Sequence, residues 1–310
     1  MNGLFFLSLD FEGMWGAIGG LSDSGVTAFK DRVRQNDTIV PSLLKLFSKY
    51  DIHATWAVVG AMMCKDGDEV FSLMDRDVRY DNWNISFKEL AGSIKEPELY
   101  FFEELVQTVS NTPNQEIATH TFSHYYANEP GTNDELLEQE IKLAQKKSQE
   151  VCGKEVVTLI MPRNQIEGVN QELLGKYGVQ ALRGRADYNN YGHGKIRKVI
   201  NFLDCYLPLV PRTYKRPDNK ERPINLKASV FFRTYFKRLA ILEPLKIARI
   251  KFEMTKAARR GECFHLWFHP HNMGTNLHVN LKALEKIFIH YQRLNKQYGF
   301  ESITMSEYAQ

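Results

Sequence analysis

Two histidines four residues apart, His120 and His124 in ATHTFSHYYA, have a spacing that suits metal ligands, and Asp10 and Glu12 in LSLDFEG supply two carboxylates. Further along, Arg163 sits in IMPRNQ and His269 closes HLWFH. Two imidazoles and one carboxylate form a hydrolytic zinc set that leaves a fourth position for water. A metal held in this way acidifies water and polarises a carbonyl oxygen. A second carboxylate can then act as base, and a histidine on the opposite side as acid toward the leaving group. An arginine beside the base would keep it ionised and oriented. The inventory matches metal-assisted hydrolysis of an acyl or amide bond. Each piece taken alone has a plainer reading: an HxxxH without metal, an acidic pair capping a helix, a structural histidine after an apolar strand.

The elements that would carry these residues decide between the two readings. Short apolar runs predict strands at Leu4–Leu9, Ala54–Val59, Glu116–Thr119, Val157–Met161, Gln180–Leu182 and Cys263–Phe268. Helical periodicity and capping residues predict helices over about 38–49, 134–152, 172–177 and 281–297, with Gly153 and Gly178 as C-caps. Strands alternating with helices imply an α/β fold with a mainly parallel sheet. In such folds functional residues gather at the C-terminal ends of strands. Four of the runs end at Asp10 and Glu12, at His120, at Arg163 and at His269, which brings all of them to one rim. No GxGxxG or GxxxxGK[ST] follows the early strands, so the nucleotide-binding fingerprint is missing.

The chain has 310 residues, 43% hydrophobic and 25% charged, as expected of a globular protein with a sizeable core. Its four cysteines form no CxxC pair, which argues against a thiolate zinc site or a disulfide framework and fits a reducing compartment. The N-terminal MNGLFFLSLDFEG lacks a positive n-region, and Asp10 and Glu12 interrupt its apolar run, so it reads as a buried strand rather than a signal peptide. No segment offers the roughly 18 uninterrupted apolar residues of a membrane span. These features together predict a cytoplasmic protein. The net charge of +3 conceals an asymmetry: residues 195–260 hold 18 Lys+Arg against five Asp+Glu. Such a block usually meets anions.

Five segments in order, LSLDFEG, ATWAVVG, EIATHTFSHYY, IMPRNQ and HLWFH, resemble the motifs of the polysaccharide deacetylase family, the NodB-homology or carbohydrate esterase 4 group. The resemblance spans residues 4 to 272. It implies a distorted (β/α)7-type barrel forming a single domain over 1–310, in which the polar stretch at about 64–98 and the proline-bearing, basic stretch at about 187–260 read as insertions. It also implies one divalent metal, most often zinc, and removal of an N-acyl group, most often acetyl, from an amino sugar or polysaccharide precursor. Carried over residue by residue, Asp10 takes the position of the general base and His269 that of the general acid. His120 and His124 take metal-ligand positions, and Arg163 would brace Asp10. The first motif departs from the commoner adjacent aspartates, since this chain reads Asp10-Phe11-Glu12. Strand alternation points Asp10 and Glu12 to one side and Phe11 to the other. Glu12 is then the simplest third ligand, with Asp10 the alternative.

Around this set, Trp15, Tyr125 and Trp267 are candidates to stack on a sugar, or else core aromatics. Asn164 and Gln165 could bond hydroxyls or cap loops, and His271 reads as a loop residue. Within the basic block, Pro244 and Gly261 bracket a predicted helix whose plainer reading is a solvated face. The sharper reading is peripheral contact with an anionic membrane at its inner face through 195–260. A lipid- or nucleotide-linked acylated amino sugar then becomes the expected substrate, and nucleic acid is not expected as a partner. The alternatives are an amino-sugar deformylase, a metal-free amidase on the same fold, and an inactive carbohydrate-binding homologue.

Overall fold

Parallel pairing throughout one sheet gives the chain its architecture. The computed structural model describes residues 1–17, 23–81, 83–185, 199–200, 202–218 and 222–310. Among the described residues there are nine strands: β1 (Leu4–Phe11), β2 (Ala54–Val58), β3 (Gln115–Thr119), β4 (Thr158–Leu159), β5 (Ala181–Leu182), β6 (Ile224–Asn225), β7 (Val230–Phe231), β8 (Cys263–Phe268) and β9 (Glu301–Ser302). They run in the order β6-β5-β4-β3-β2-β1-β8-β7, with β9 added beside β1. Every ladder is parallel.

The two ends of that path, β6 and β7, are separated by only residues 226–229. An extended chain covers at most about 3.6 Å per residue, which limits that gap to roughly 18 Å. Eight strands laid flat would spread over about 34 Å at about 4.8 Å per strand. The sheet is therefore curled on itself, as a distorted (β/α) barrel of a single domain. The three strands that the sequence patterns did not predict, β6, β7 and β9, are two residues each and too short for a periodic signal.

Strand alternation sorts the core into two layers. Phe5, Leu7, Leu9 and Phe11 of β1 and Phe264, Leu266 and Phe268 of β8 face outward, beneath the surrounding helices. Leu4, Phe6, Ala57, Ile160, Ala181 and Cys263 fill the interior from below. Both faces of β1 are covered, which explains its unbroken burial. The inward series then changes chemistry as it climbs: Phe6, Ser8 and Asp10 on β1, with Glu12 just past its end. On β8 it runs Cys263, His265 and Trp267, with His269 just past the end. An apolar floor thus supports a polar rim.

The long helices fall close to their expected places, at Asn36–Tyr50, Asp134–Cys152, Glu243–Arg260 and Leu277–Tyr298. Asn133 caps the second by accepting from the Leu136 amide at 2.9 Å, and Gly153 closes it at φ 64°. The stretch 64–98 includes two short helices, Gly67–Leu73 and Phe87–Gly92. Residues 187–198, 201 and 219–221 of the expected insertion 187–260, which includes the basic block, lie outside the described residues. Among the described residues no helix is long and apolar enough to cross a membrane.

Candidate metal centre and active site

Glu12, His120 and His124 form one buried cluster whose ligand atoms all lie within 4.8 Å of one another. Glu12 Oε2 is 3.1 Å from His124 Nε2 and 3.6 Å from His120 Nε2. Ligands about 2.0–2.1 Å from a tetrahedral ion stand roughly 3.3 Å apart, so this donor set fits a zinc-sized ion with little movement. His120 Nδ1 donates to the Ile160 carbonyl at 2.6 Å, which leaves Nε2 with its lone pair toward the cluster. Burial lowers the His124 pKa despite Glu12 beside it, favouring the neutral form that a metal needs. Burial pushes the Glu12 carboxyl up, but His269, His120 and His124 outweigh it and hold Glu12 well below the usual range. Two imidazoles and one ionised carboxylate are thus in place.

The loop that carries both histidines is bent by force. Thr121 and His124 adopt φ of 65° and 62°, a region that non-glycine residues rarely enter. The surroundings hold them there. The Gly60 and Ala61 amides donate to the Thr121 and Phe122 carbonyls at 2.9 Å. Glu140, buried on helix Asp134–Cys152, accepts from the Ser123 amide at 2.6 Å. The Tyr125 amide closes the turn on Thr121 Oγ1 at 2.7 Å.

Asp10 belongs to a different set of contacts. Arg183, the first residue after β5, donates Nη1 to Asp10 Oδ1 and Nη2 to Oδ2, both at 2.7 Å. Its Nη1 also reaches Ser8 Oγ and its Nε reaches Asn164 Oδ1, each at 2.8 Å. Ser8 Oγ in turn lies 2.7 Å from His265 Nε2. Burial drives His265 down to about 3, so it stays neutral and accepts the Ser8 hydroxyl. Burial alone would raise Asp10; Arg183, with His120 and His269, outweighs it and keeps Asp10 below its ordinary value. A fully buried guanidinium thus holds an ionised carboxylate beside the Glu12–His120–His124 cluster without joining it to that cluster.

The motif pattern places Arg163 in this bracing position, and the structure puts Arg183 there instead. Arg163 and Asn164 take φ of 56° and 51°, and this left-handed turn sends the two side chains apart. Asn164 goes inward to Arg183, while Arg163 pairs with Glu129 at 3.0 Å and lies 4.0 Å over the Tyr126 ring. Arg183 follows a predicted strand directly, so the strand-end rule that flagged the other residues would have found it too.

His269 stands across from the carboxylates, with Nε2 3.8 Å from Asp10 Oδ2 and 3.7 Å from Glu12 Oε1. At 23% side-chain exposure it is the open member of the group. Phe231, Trp267 and His271 surround its ring. His271, expected as a loop residue, is buried 4.4 Å from Phe29 and is held neutral, at about 3, by that burial. A cleft of about 310 Å³ brings together Asp10, Glu12, His120, His124, Arg163 and His269, with Asn164 and Trp267 also in its wall.

Two expected sugar platforms are not in that wall. Trp15 is fully buried, donates to the Tyr100 carbonyl at 2.9 Å and packs on Phe87 at 4.9 Å, so no sugar can reach it. Tyr125 is also buried, its hydroxyl spent on the Asn133 backbone at 3.1 and 3.2 Å. Both are core aromatics. Gln165 accepts from the Asn128 amide at 3.4 Å, the loop-capping role.

Gly16 completes the cradle of Glu12. A Cβ there would stand 2.2 Å from the Glu12 Cδ atom, so any larger residue displaces the carboxylate. Gly16→Ala is expected to weaken zinc binding about 10–100-fold, as changes to residues supporting metal ligands do, because the flexible Glu12 side chain yields before the fold does. Competition against a chromophoric chelator, read beside a thermal melt, checks this. An unchanged affinity would show that the Glu12 carboxylate does not need its present place.

The polysaccharide deacetylase family model matches residues 26–182, which include His120, His124, Arg163 and strands β2 to β5. No curated protein sequence matches the chain. Among solved structures, a Mycobacterium smegmatis protein assigned as a polysaccharide deacetylase superposes with TM-score 0.61 at 13% identity, over 100% of this chain and 90% of that one. A Pseudomonas aeruginosa protein with the same assignment gives 0.55 at 12% identity, over 99% and 89%. Puue allantoinase gives 0.55 at 12%, over 99% and 88%. At such identities these likenesses describe the fold, while the family match covers half of the chain. The chain belongs to the polysaccharide deacetylase family, hydrolases that cleave the C–N bond of sugar acetyl groups.

Proposed function

We propose that the protein is a metal-dependent N-deacylase acting on an acetylated amino sugar, with zinc as its metal. The observation that carries this reading is the division of the two first-strand acids: Glu12 lies with His120 and His124, while Asp10 is held apart by Arg183. Glu12, His120 and His124 would hold the ion. A zinc ion there would polarise the acyl carbonyl and acidify water. Asp10, ionised by its pairing with Arg183, takes a proton from the attacking water. His269, across the cleft, gives a proton to the departing sugar nitrogen as the C–N bond breaks. Amide and water thus become free amine and acetate, with His269 and Asp10 restored by proton exchange. Trp267, partly exposed in the cleft wall, offers a face for the sugar ring.

Acetate release from a panel of free, nucleotide-linked and lipid-linked N-acetyl amino sugars tests the reaction. Asp10→Asn is expected to lower turnover about 10²–10⁴-fold, the range for losing a general base. His124→Ala is expected to lose the metal along with activity. Zinc retained in full by His124→Ala would remove the basis of the reading, and formate release in place of acetate would mark a deformylase.

The same reading extends to a membrane surface with anionic headgroups. Of the thirteen large hydrophobics exposed among the described residues, nine lie between Val199 and Phe252. Ile241 is 85% exposed, and Leu245 and Phe252, seven apart on one helix, present their side chains on a common face. Lys and Arg of the basic block are interleaved with them, the combination that suits an interfacial contact. The protein is then expected to float with phosphatidylglycerol vesicles at low salt and not with phosphatidylcholine ones. Ile241→Glu combined with Phe252→Glu should abolish flotation. No binding to anionic vesicles would end the membrane proposal while leaving the deacylase reading intact.

A further inference from the structure

A second cavity, of about 470 Å³, adjoins the catalytic cleft and shares Asn164 and Trp267 with it. Its other walls differ from a neutral sugar groove. Arg185, Arg212, Arg233 and Lys246 line it, against the single carboxylate of Asp204. That carboxylate is already engaged: Arg212 Nε donates to it at 2.8 Å and Arg249 Nη2 at 3.1 Å. Lys246 donates to Glu243 at 2.9 Å and to the Arg233 carbonyl at 2.7 Å. Glu253 balances Arg249 from one helical turn away. The five cations therefore face three carboxylates, and two guanidiniums are left over.

Those two are Arg185 and Arg233. Among the described residues neither has a carboxylate partner: Arg185 donates to the Arg163 carbonyl at 3.1 Å, and Arg233 Nη1 lies 3.6 Å from Cys205 Sγ. A guanidinium presents a planar fork of donors that matches phosphate oxygens. Both side chains are exposed at the cavity, so their remaining donors are open to an incoming anion.

Trp267 forms part of both walls, with its ring 4.7 Å from Phe231 and 5.8 Å from His269. A pyranose resting along Trp267 and Phe231 would place its acyl nitrogen near His269 at one end and its anomeric substituent among the arginines at the other. We propose that this cavity is an anion subsite that binds the phosphoryl groups of a glycosyl diphosphate, so that the substrate is a phosphate-linked amino sugar and not a neutral polymer. The identity of the substrate rests on the deacylase reading; the anion site itself does not.

The test is calorimetric titration of the zinc-loaded protein with uridine diphosphate and with geranyl diphosphate, which share the diphosphate and differ in what it carries. Binding is expected for at least one of them. Arg185→Gln combined with Arg233→Gln should weaken it about 100-fold, about tenfold for each guanidinium removed from the phosphoryl oxygens. Preference for the uridine compound identifies a nucleotide-linked substrate, and preference for the geranyl compound a lipid-linked one. Because diphosphates also ligate zinc, the titration is repeated on His124→Ala, where binding should persist. Absence of binding by both compounds, equal affinity in the double arginine variant, loss of binding in His124→Ala, or binding of glucuronate in their place would overturn the proposal. Failure of acetate release would leave these titrations readable, so the two readings fall separately.

Discussion

The bidentate pair between Arg183 and Asp10 is the interaction on which the site depends. Both groups are buried, and both guanidinium bonds are 2.7 Å long. An unpaired ionised carboxylate at that depth would either take up a proton or turn toward the Glu12–His120–His124 cluster. Breaking such a pair by removing one partner typically costs about 3–5 kcal/mol, because a charge is left without compensation. Here the pair does more than stabilise. It occupies both Asp10 oxygens from the barrel side and keeps the group ionised against the push of burial. Among the described residues the neighbouring acid, Glu12, has no arginine partner and is surrounded by imidazoles instead. Two carboxylates two residues apart thus acquire different surroundings, a guanidinium for Asp10 and imidazoles for Glu12, and the proposed roles rest on that difference.

That division needs a rigid frame, and the barrel supplies it. Ser8 and His265 sit one inward position below Asp10 and Trp267 and link Arg183 to the floor of the barrel through hydrogen bonds of 2.8 and 2.7 Å. The apolar layer of Phe6, Ala57, Ile160 and Ala181 lies beneath them. The histidine loop is the strained part, with two non-glycine residues in left-handed conformations, and its backbone bonds to Gly60, Ala61 and Glu140 over-determine it. Strain of this kind persists where surrounding structure enforces it, and here it turns His120 and His124 onto one point.

Much of this was legible in the sequence, for identifiable reasons. Long, strongly patterned elements such as β1, β8 and the helix after Asn133 announce themselves through apolar runs and caps. The inward alternation Asp10-Phe11-Glu12 follows from strand geometry alone, and Phe11 does turn away, to pack 6.2 Å from Trp56 and 5.8 Å from Phe102. Arg163 misled because a motif position says nothing of the backbone's hand: with two successive left-handed residues there, its side chain turns to Glu129 and the Tyr126 ring and not to Asp10. Trp15 and Tyr125 misled because an aromatic near a strand end looks the same whether it is a platform or a core plug. The cavity proposed to bind an anion was visible only as a basic block. Arg212 and Arg249 spend their charge on Asp204, while Arg185 and Arg233 do not, and that distinction is tertiary.

The assignment of ligand and base can be read without knowing the substrate. Zinc affinity measured side by side for Glu12→Gln and Asp10→Asn compares two changes that each remove one negative charge from the same cleft. If Arg183 keeps Asp10 out of the coordination sphere, Asp10→Asn should bind zinc within a few-fold of the unaltered protein, whereas Glu12→Gln should lose at least about 100-fold, the upper range of effects even for groups that only support a ligand. The reverse order, or equal losses in both variants, would contradict the division of labour between the two acids.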